Sequence, residues 1–94
     1  MKYLSIVTVA ILLTACAVKP PVQEMAEARS AIKSAQQLDA TNPKAKQALK
    51  SAEASMKEAA DAIDMEYYDT ARRKAIEAKR KAQRAARIQQ GTSR

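Results

Sequence analysis

Cys16 is the only cysteine in this sequence, and the thiol of a cysteine is the side-chain group best suited to nucleophilic chemistry. The sequence contains no histidine, so a zinc, haem or iron–sulfur site would lack its usual ligands. It also contains no nucleophile elbow, phosphate-binding loop or zinc-type helix motif. The sequence therefore predicts neither an enzyme nor a metal cofactor, and Cys16 must have another use.

The four carboxylates Asp61, Asp64, Glu66 and Asp69 form the densest acidic cluster of the chain. They lack the ligand spacing and the sharp-turn glycine of a calcium-binding loop. Acidic residues are favourable at the start of a helix, where the helix dipole is positive. We expect these carboxylates to serve solubility and the start of a helix that follows them.

The first fifteen residues have the three parts of a secretory signal peptide. Lys2 supplies the positive charge, residues 4–13 form an apolar run, and small residues precede Cys16. The run is ten residues long, whereas a helix that spans a bilayer needs about twenty apolar residues. The segment predicts a signal peptide and not a transmembrane anchor.

Leu13, Thr14, Ala15 and Cys16 resemble the lipobox of bacterial lipoproteins. The resemblance implies that Leu13, Thr14 and Ala15 are recognised by the signal peptidase, and that Cys16 carries a diacylglyceryl group and an added acyl chain such as palmitate. Several acyl chains hold a protein stably on a bilayer. Lipoproteins retained in the inner membrane typically carry Asp after the cysteine, so Ala17 implies sorting to the outer membrane, on its periplasmic face. The alternative is that Cys16 is an inert apolar residue.

Positive charge is concentrated at the end of the chain. Residues 70–94 contain nine basic residues against Glu77 alone, a net charge of +8, whereas residues 16–69 have seven basic and nine acidic residues, a net charge of −2. The candidate residues for contact with an anionic surface are Arg72, Arg73, Lys74, Lys79, Arg80, Lys81, Arg84 and Arg87.

Two interpretations of this basic segment stay open. Charged runs usually form a solvated helix face, whereas clustered charge of one sign also attracts anionic partners. In the periplasm these partners would be phospholipid head groups, peptidoglycan or acidic envelope proteins. Nucleic acid is disfavoured, because an exported chain would not meet it.

Tyr67 and Tyr68 are the only aromatic residues left after removal of the signal peptide. Adjacent residues point in different directions on a helix. We expect Tyr68 to pack in the core and treat Tyr67 as a candidate partner-contact residue, since an exposed tyrosine can stack on a sugar or anchor a partner.

The periodicity of the mature chain predicts helices at about 22–38, 43–64 and 67–89, after a lipidated tether at 16–21 and before a frayed tail at 91–94. Asn42 is predicted to cap the second helix, with Pro43 as its first residue. There is no strand signal.

Apolar residues recur every three or four positions in each helix, and most of them are alanines. The predicted seams are Val22, Met25, Ala28, Ile32 and Ala35 in the first helix; Ala45, Leu49, Ala52, Met56, Ala59 and Ile63 in the second; and Tyr68, Ala71, Ala75, Ala78, Ala82 and Ala85 in the third. Because alanines bury little area, a partner or self-association is expected.

The seam of the second helix would meet Glu66, Thr70 and Arg73 if it continued, and all three are polar. This favours a break at 64–67. No Gly or Pro lies there, and a stripe rotating through Tyr67, Ala71 and Ala75 would permit one continuous helix.

Between Met25 and Ala86 the sequence contains the patterns Ala-Arg-x-Ala-Ile and Ala-Leu-x-x-Ala-x-x-x-Met, followed by the spacing of Tyr68, Ala71 and Ala75. This region is similar to a group of short, alanine-rich bacterial lipoproteins catalogued as a domain of unknown function. In that family Gly often lies two residues before the tyrosine, where this chain has Glu66. The resemblance implies a lipobox followed by helices, and no activity.

We expect an all-α protein, a bundle of two or three antiparallel helices with alanine-rich seams, anchored by lipid in the outer membrane and structural or adaptor-like in the cell envelope. One alternative is an elongated oligomeric coiled-coil spacer between membrane and peptidoglycan, similar to the major murein lipoprotein but ending in Thr92-Ser93-Arg94 instead of a wall-linked lysine. The other is a cytoplasmic basic nucleic-acid binder with an unprocessed N-terminus.

Overall fold

The computed structural model describes residues 19–92. Three helices make up this range: α1 (Val22–Gln37), α2 (Pro43–Asp64) and α3 (Tyr68–Thr92). They pack against one another as a small all-α bundle, as the sequence predicts. The predicted signal peptide, lipobox, Cys16 and Ala17 lie outside the described residues, as do the last two residues of the predicted tail.

The helices run up, down and up. Antiparallel packing of α2 and α3 brings Lys74 beside Glu58 and Lys81 beside Ser55. α1 lies parallel to α3, because Glu24, near the start of α1, reaches Arg72, near the start of α3. α3 is the central helix, since it contacts both others extensively while α1 and α2 touch only slightly.

The start of α2 follows from local chemistry. The side chain of Asn42 accepts hydrogen bonds from the backbone N–H groups of Lys44 and Ala45, at 2.8 and 3.4 Å, and Pro43 is the first helical residue. A cap of this kind satisfies N–H groups that have no partner within the helix. The predicted cap is confirmed.

The break between α2 and α3 lies at residues 65–67, so the two helices are separate. Glu66 has a positive φ of 63°. Its N–H donates to the carbonyl of Ile63 at 2.9 Å, and the N–H of Tyr67 donates to the carbonyl of Ala62 at 2.8 Å. This pair of bonds is the Schellman motif, which ends a helix at a left-handed residue.

The core is built largely from alanine. Alanines of all three helices are buried, together with Met25 and Ile32 of α1. In α3 every predicted seam alanine is buried, and Tyr68 is half-buried. In α2 the larger seam residues Leu49 and Met56 are half-buried and pack against the core.

Two predictions about the ends of the bundle are wrong. Val22 is predicted to lie in the apolar seam of the first helix, but it is exposed because it is the first residue of α1 and lies where the bundle ends. α3 continues through Gly91 to Thr92, so these two residues are not a frayed tail. The hydroxyl of Thr92 donates to the carbonyl of Ile88 at 3.0 Å and accepts from Asn42 Nδ2 at 2.7 Å, which ties the last turn to the start of α2.

Candidate functional site

The candidate site is the cationic surface predicted along α3, and the fold divides its residues into two groups. Four of the eight predicted cations pair with carboxylates, which lie on another helix or one turn away on α3. Arg72 approaches Glu24, Lys79 approaches Glu27, Lys74 approaches Glu58 and Glu77, and Lys81 approaches Glu77, all with N–O distances of 2.8–3.6 Å.

These pairs have electrostatic consequences at the surface. The hydrogen bond from Lys79 lowers the pKa of Glu27, and the hydrogen bond from Lys81 lowers the pKa of Glu77. The hydrogen bond to Glu58 raises the pKa of Lys74. These bonds favour the charged forms of Glu27, Glu77 and Lys74, and carboxylates lie beside Arg72, Lys74 and Lys79 in the first half of α3.

The other four predicted cations face water. Arg73 donates to the hydroxyl of Thr70 at 3.3 Å. Within the described part of the chain, Arg80, Arg84 and Arg87 have no carboxylate within ion-pair distance. The end of α3 therefore keeps its positive charge.

The fold adds three lysines that the sequence analysis did not assign to this surface. Lys44, Lys46 and Lys50 lie in the first half of α2, and antiparallel packing places that half beside the end of α3. All three are exposed. Their spacing of two and four residues was visible in the sequence, but their position beside the end of α3 depends on the break at 65–67.

Charge is therefore segregated along the bundle axis. We call residues 30–53 and 80–92 the basic half, and residues 22–29 and 54–79 the turn half. The basic half has eight basic and two acidic residues, a net charge of +6, whereas the turn half has six basic and eight acidic residues, a net charge of −2. Every carboxylate in a described ion pair belongs to the turn half.

A groove of about 420 Å³ runs between α2 and α3 in the basic half. Lys44, Lys81 and Arg84 line it, and half-buried Ala48 and Ile88 contribute an apolar strip. Cations beside an apolar strip suit an anionic ligand that also has small apolar groups.

Gln89 fixes the loop at the end of the basic half. Its Oε1 accepts from the backbone N–H groups of Thr41 and Asn42, at 2.9 and 3.0 Å, and its Nε2 donates to the hydroxyl of Thr41 at 3.1 Å. Gln89 is only 5 % exposed. It occupies the next position of the α3 seam after Ala85, which was the only sequence signal for its burial.

Ser55 and Lys81 are the one pair whose residue types invite a catalytic interpretation, because some hydrolases use a serine and a lysine. Lys81 Nζ donates to Ser55 Oγ at 2.9 Å. Lys81 Nζ also lies 2.8 Å from Glu77 Oε1, so the lysine is shared between Ser55 and an ion pair along α3. Ser55 is 2 % exposed, which leaves no room for a substrate. The pair is structural.

Tyr67 is 61 % exposed at the turn between α2 and α3. It lies at the end of the bundle opposite the basic half, so the structure does not bring it together with the unpaired cations. No cluster of metal-ligating side chains occurs in residues 19–92. In the same range no helix is long and apolar enough to cross a membrane.

Comparison of the chain with family models, curated proteins and solved structures gives no match. The resemblance to alanine-rich lipoproteins therefore stays a prediction.

Proposed function

We propose that this chain is a lipid-anchored outer-membrane lipoprotein whose helical domain acts as a structural adaptor, with its basic half in noncovalent contact with peptidoglycan carboxylates. The proposal joins two features. The segment ending in Cys16 has the pattern of a lipoprotein signal, and the far end of the domain carries unpaired positive charge. No catalytic step belongs to this function.

The observation that carries the wall contact is the net charge of +6 on the basic half. Seven of its eight cations have no carboxylate within ion-pair distance among the described residues; Lys81, paired with Glu77, is the eighth. A cluster of unpaired, exposed cations attracts a polyanion at long range. Binding then costs little free energy within the protein, since no internal ion pair must break.

The direction of the domain favours peptidoglycan over the anchoring bilayer. The chain towards Cys16 leaves the domain at the start of α1, in the turn half. α3 has 25 residues, which at 1.5 Å per residue is about 37 Å. A lipid on Cys16 would therefore hold the turn half near the membrane and direct the basic half away from it.

The antiparallel packing of α2 and α3 weighs against the elongated spacer. A spacer built from one continuous helix would have no break at residues 65–67, where the chain reverses direction through a Schellman motif. We therefore favour a short adaptor over a rod.

The anchor is tested by intact mass spectrometry of the protein extracted from membranes. We expect a chain that begins at Cys16 with added acyl mass, and loss of that mass in a Cys16→Ala variant. A chain that keeps Met1 and lacks acyl groups would contradict the anchor and make nucleic acid the next partner to test.

The wall contact is tested by sedimentation of the acylated protein in detergent with isolated peptidoglycan sacculi. Neutralising Lys46, Arg84 and Arg87 to Gln removes three exposed, unpaired charges of the basic half. We expect this variant to lose most of its binding, and amidation of the sacculus carboxylates to have the same effect.

The matched control neutralises Arg29, Lys57 and Arg73 to Gln, which removes three exposed charges from the turn half. This variant has the same net charge as the first. Equal losses in both variants would show that binding follows net charge alone and would overturn the assignment to the basic half.

A further inference from the structure

Three large apolar side chains are exposed at one end of the bundle. Val22 is 71 % exposed, Met65 is 64 % exposed and Tyr67 is 61 % exposed. All three lie at the end of the turn half: Met65 and Tyr67 in the turn after α2, and Val22 at the start of α1, close to the first turn of α3 through the Glu24–Arg72 pair. We call these three residues the apolar tip.

The chain towards Cys16 leaves the domain at this same end. Pro21, directly before α1, is fully buried, so the point where α1 begins is fixed to the bundle. Six residue steps separate Cys16 from Val22, and an extended chain covers at most about 20 Å over that length. A lipid on Cys16 would hold the apolar tip within this distance of the head groups.

The residue types of the tip suit the interfacial region of a bilayer. Tyrosine is enriched at the level of the head groups, where its ring is buried and its hydroxyl stays hydrated. The backbone bonds of the Schellman motif hold Met65 and Tyr67 on a fixed turn, so little conformational entropy is lost on contact.

The acidic residues around the apolar tip limit how deeply it can enter the bilayer. Asp64, Glu66 and Asp69 are all exposed beside Met65 and Tyr67. Carboxylates do not enter the hydrocarbon, and anionic lipids would repel them. The lipid surface that fits is therefore zwitterionic, with its ammonium groups near these carboxylates.

We propose that the apolar tip is a membrane-contact surface, in which Met65 and Tyr67 insert into the head-group region of the bilayer that holds the lipid on Cys16. This inference rests on the proposed lipid anchor. It adds an orientation to that anchor: the domain stands on its turn half, and the basic half points away from the membrane.

The test uses depth-dependent quenching of tryptophan in the full acylated protein. The chain has no tryptophan, so Tyr67→Trp gives a single probe at the tip. Leu38→Trp gives the matched probe at the opposite end, where Leu38 is 37 % exposed. Both variants are placed on zwitterionic vesicles whose acyl chains carry bromine near the head group, and circular dichroism checks that each folds.

We expect the probe at position 67 to lose intensity and shift to the blue on brominated vesicles, while the probe at position 38 keeps the emission of a tryptophan in water. Replacing part of the lipid with an anionic phospholipid should reduce the quenching at position 67. Adding Met65→Asp to Tyr67→Trp should reduce it as well.

Two results would overturn the tip proposal while leaving the anchor intact. One is a protein that floats with the vesicles but shows no quenching at position 67. The other is quenching at position 38 equal to that at 67, which would mean that the domain lies along the membrane. A chain that does not float with the vesicles would contradict the anchor itself, and the tip proposal with it.

Discussion

Glu66 has a backbone conformation that its side chain disfavours. Its φ of 63° lies in the left-handed region, where the Cβ of an ordinary residue approaches the following carbonyl. Glycine is the usual residue at this position of a Schellman motif. Glu66 therefore has a local conformational cost, which the packing of α2 against α3 offsets.

Glu66→Gly should therefore stabilise the protein. Relief of left-handed strain exceeds the added entropy of the unfolded glycine, so we expect the free energy of unfolding to rise by about 0.5–1 kcal/mol. Denaturant unfolding followed by circular dichroism measures this change. Glu66→Ala removes the same charge but keeps Cβ, and it should give no gain. An equal gain from both variants would point to charge repulsion in the acidic turn and not to backbone strain.

The side chain of Gln89 holds the loop between α1 and α2 against the end of α3. Its carbonyl accepts two backbone N–H groups of the α1–α2 loop, and Gln89→Ala would leave both without this partner. An unsatisfied buried donor costs about 1–3 kcal/mol, and these two N–H groups are only partly buried, so we expect a loss of stability of about 1 kcal/mol. Gln90→Ala, at the exposed neighbouring position, should change stability little. Similar losses in thermal unfolding for both variants would contradict the role of Gln89 in holding the loop.

At the scale of the elements, the close packing of α3 against both neighbours depends on alanine. Ala75, Ala78 and Ala82 are each 0 % exposed, and side chains of this size let helices approach closely. Such an interface leaves no space for a larger residue. It also buries little apolar area per residue, so the fold is sensitive to small changes there.

Ala78→Leu should accordingly destabilise the bundle although leucine is more apolar than alanine. Overpacking a tight core costs about 1–3 kcal/mol, and we expect the midpoint of thermal unfolding to fall. Ala54→Leu makes the same change at an exposed position of α2 and should have little effect. If Ala78→Leu left the midpoint unchanged, the α3 seam would be looser than its burial indicates.

Local chemistry explains which elements could be predicted from the sequence. The bounds of α2 follow from Asn42 and Pro43, whose effects act within one turn, and the break after it follows from the loss of the apolar seam. The hydrogen bonds of Ser55 and Gln89 could not be predicted with the same rules, because each depends on a partner brought close only by the fold. Lys81 is 26 residues from Ser55, and Thr41 is 48 residues from Gln89.

At the scale of the whole molecule, the observed cationic site differs from the predicted one because contacts between residues that are distant in the sequence change the distribution of charge. The sequence assigns positive charge to one helix, whereas the bundle assigns it to one half of all three. Glu27 neutralises Lys79 from 52 residues away, and Lys44 joins the end of α3 from the other side of the turn. Net charge along the sequence cannot contain this information, because it depends on how the helices are arranged in space.

The ion pairs of the turn half predict how stability depends on pH. The pKa values of Glu27 and Glu77 are lowered in the folded state by hydrogen bonds from Lys79 and Lys81. Their contribution is therefore present above the ordinary glutamate pKa of about 4.3, and it is lost as pH falls through the lowered values. The pKa of Lys74 is raised by its bond to Glu58, so its contribution is present below the ordinary lysine pKa of about 10.4 and is lost as pH rises through the raised value.

We therefore expect thermal stability to be flat between about pH 5 and pH 10 and to fall on both sides of this range. The side chains of these groups are partly accessible to water, so both falls should be small and should weaken as salt screens the pairs. The measurement is the midpoint of thermal unfolding across pH at low and high salt. A double variant with Glu27→Gln and Glu77→Gln should flatten the acid side and reduce the alkaline fall only in part, because Glu58 still pairs with Lys74. An acid side as steep as that of the parent chain would mean that other carboxylates control it, and the bundle would then owe little of its stability to the ion pairs of Glu27 and Glu77.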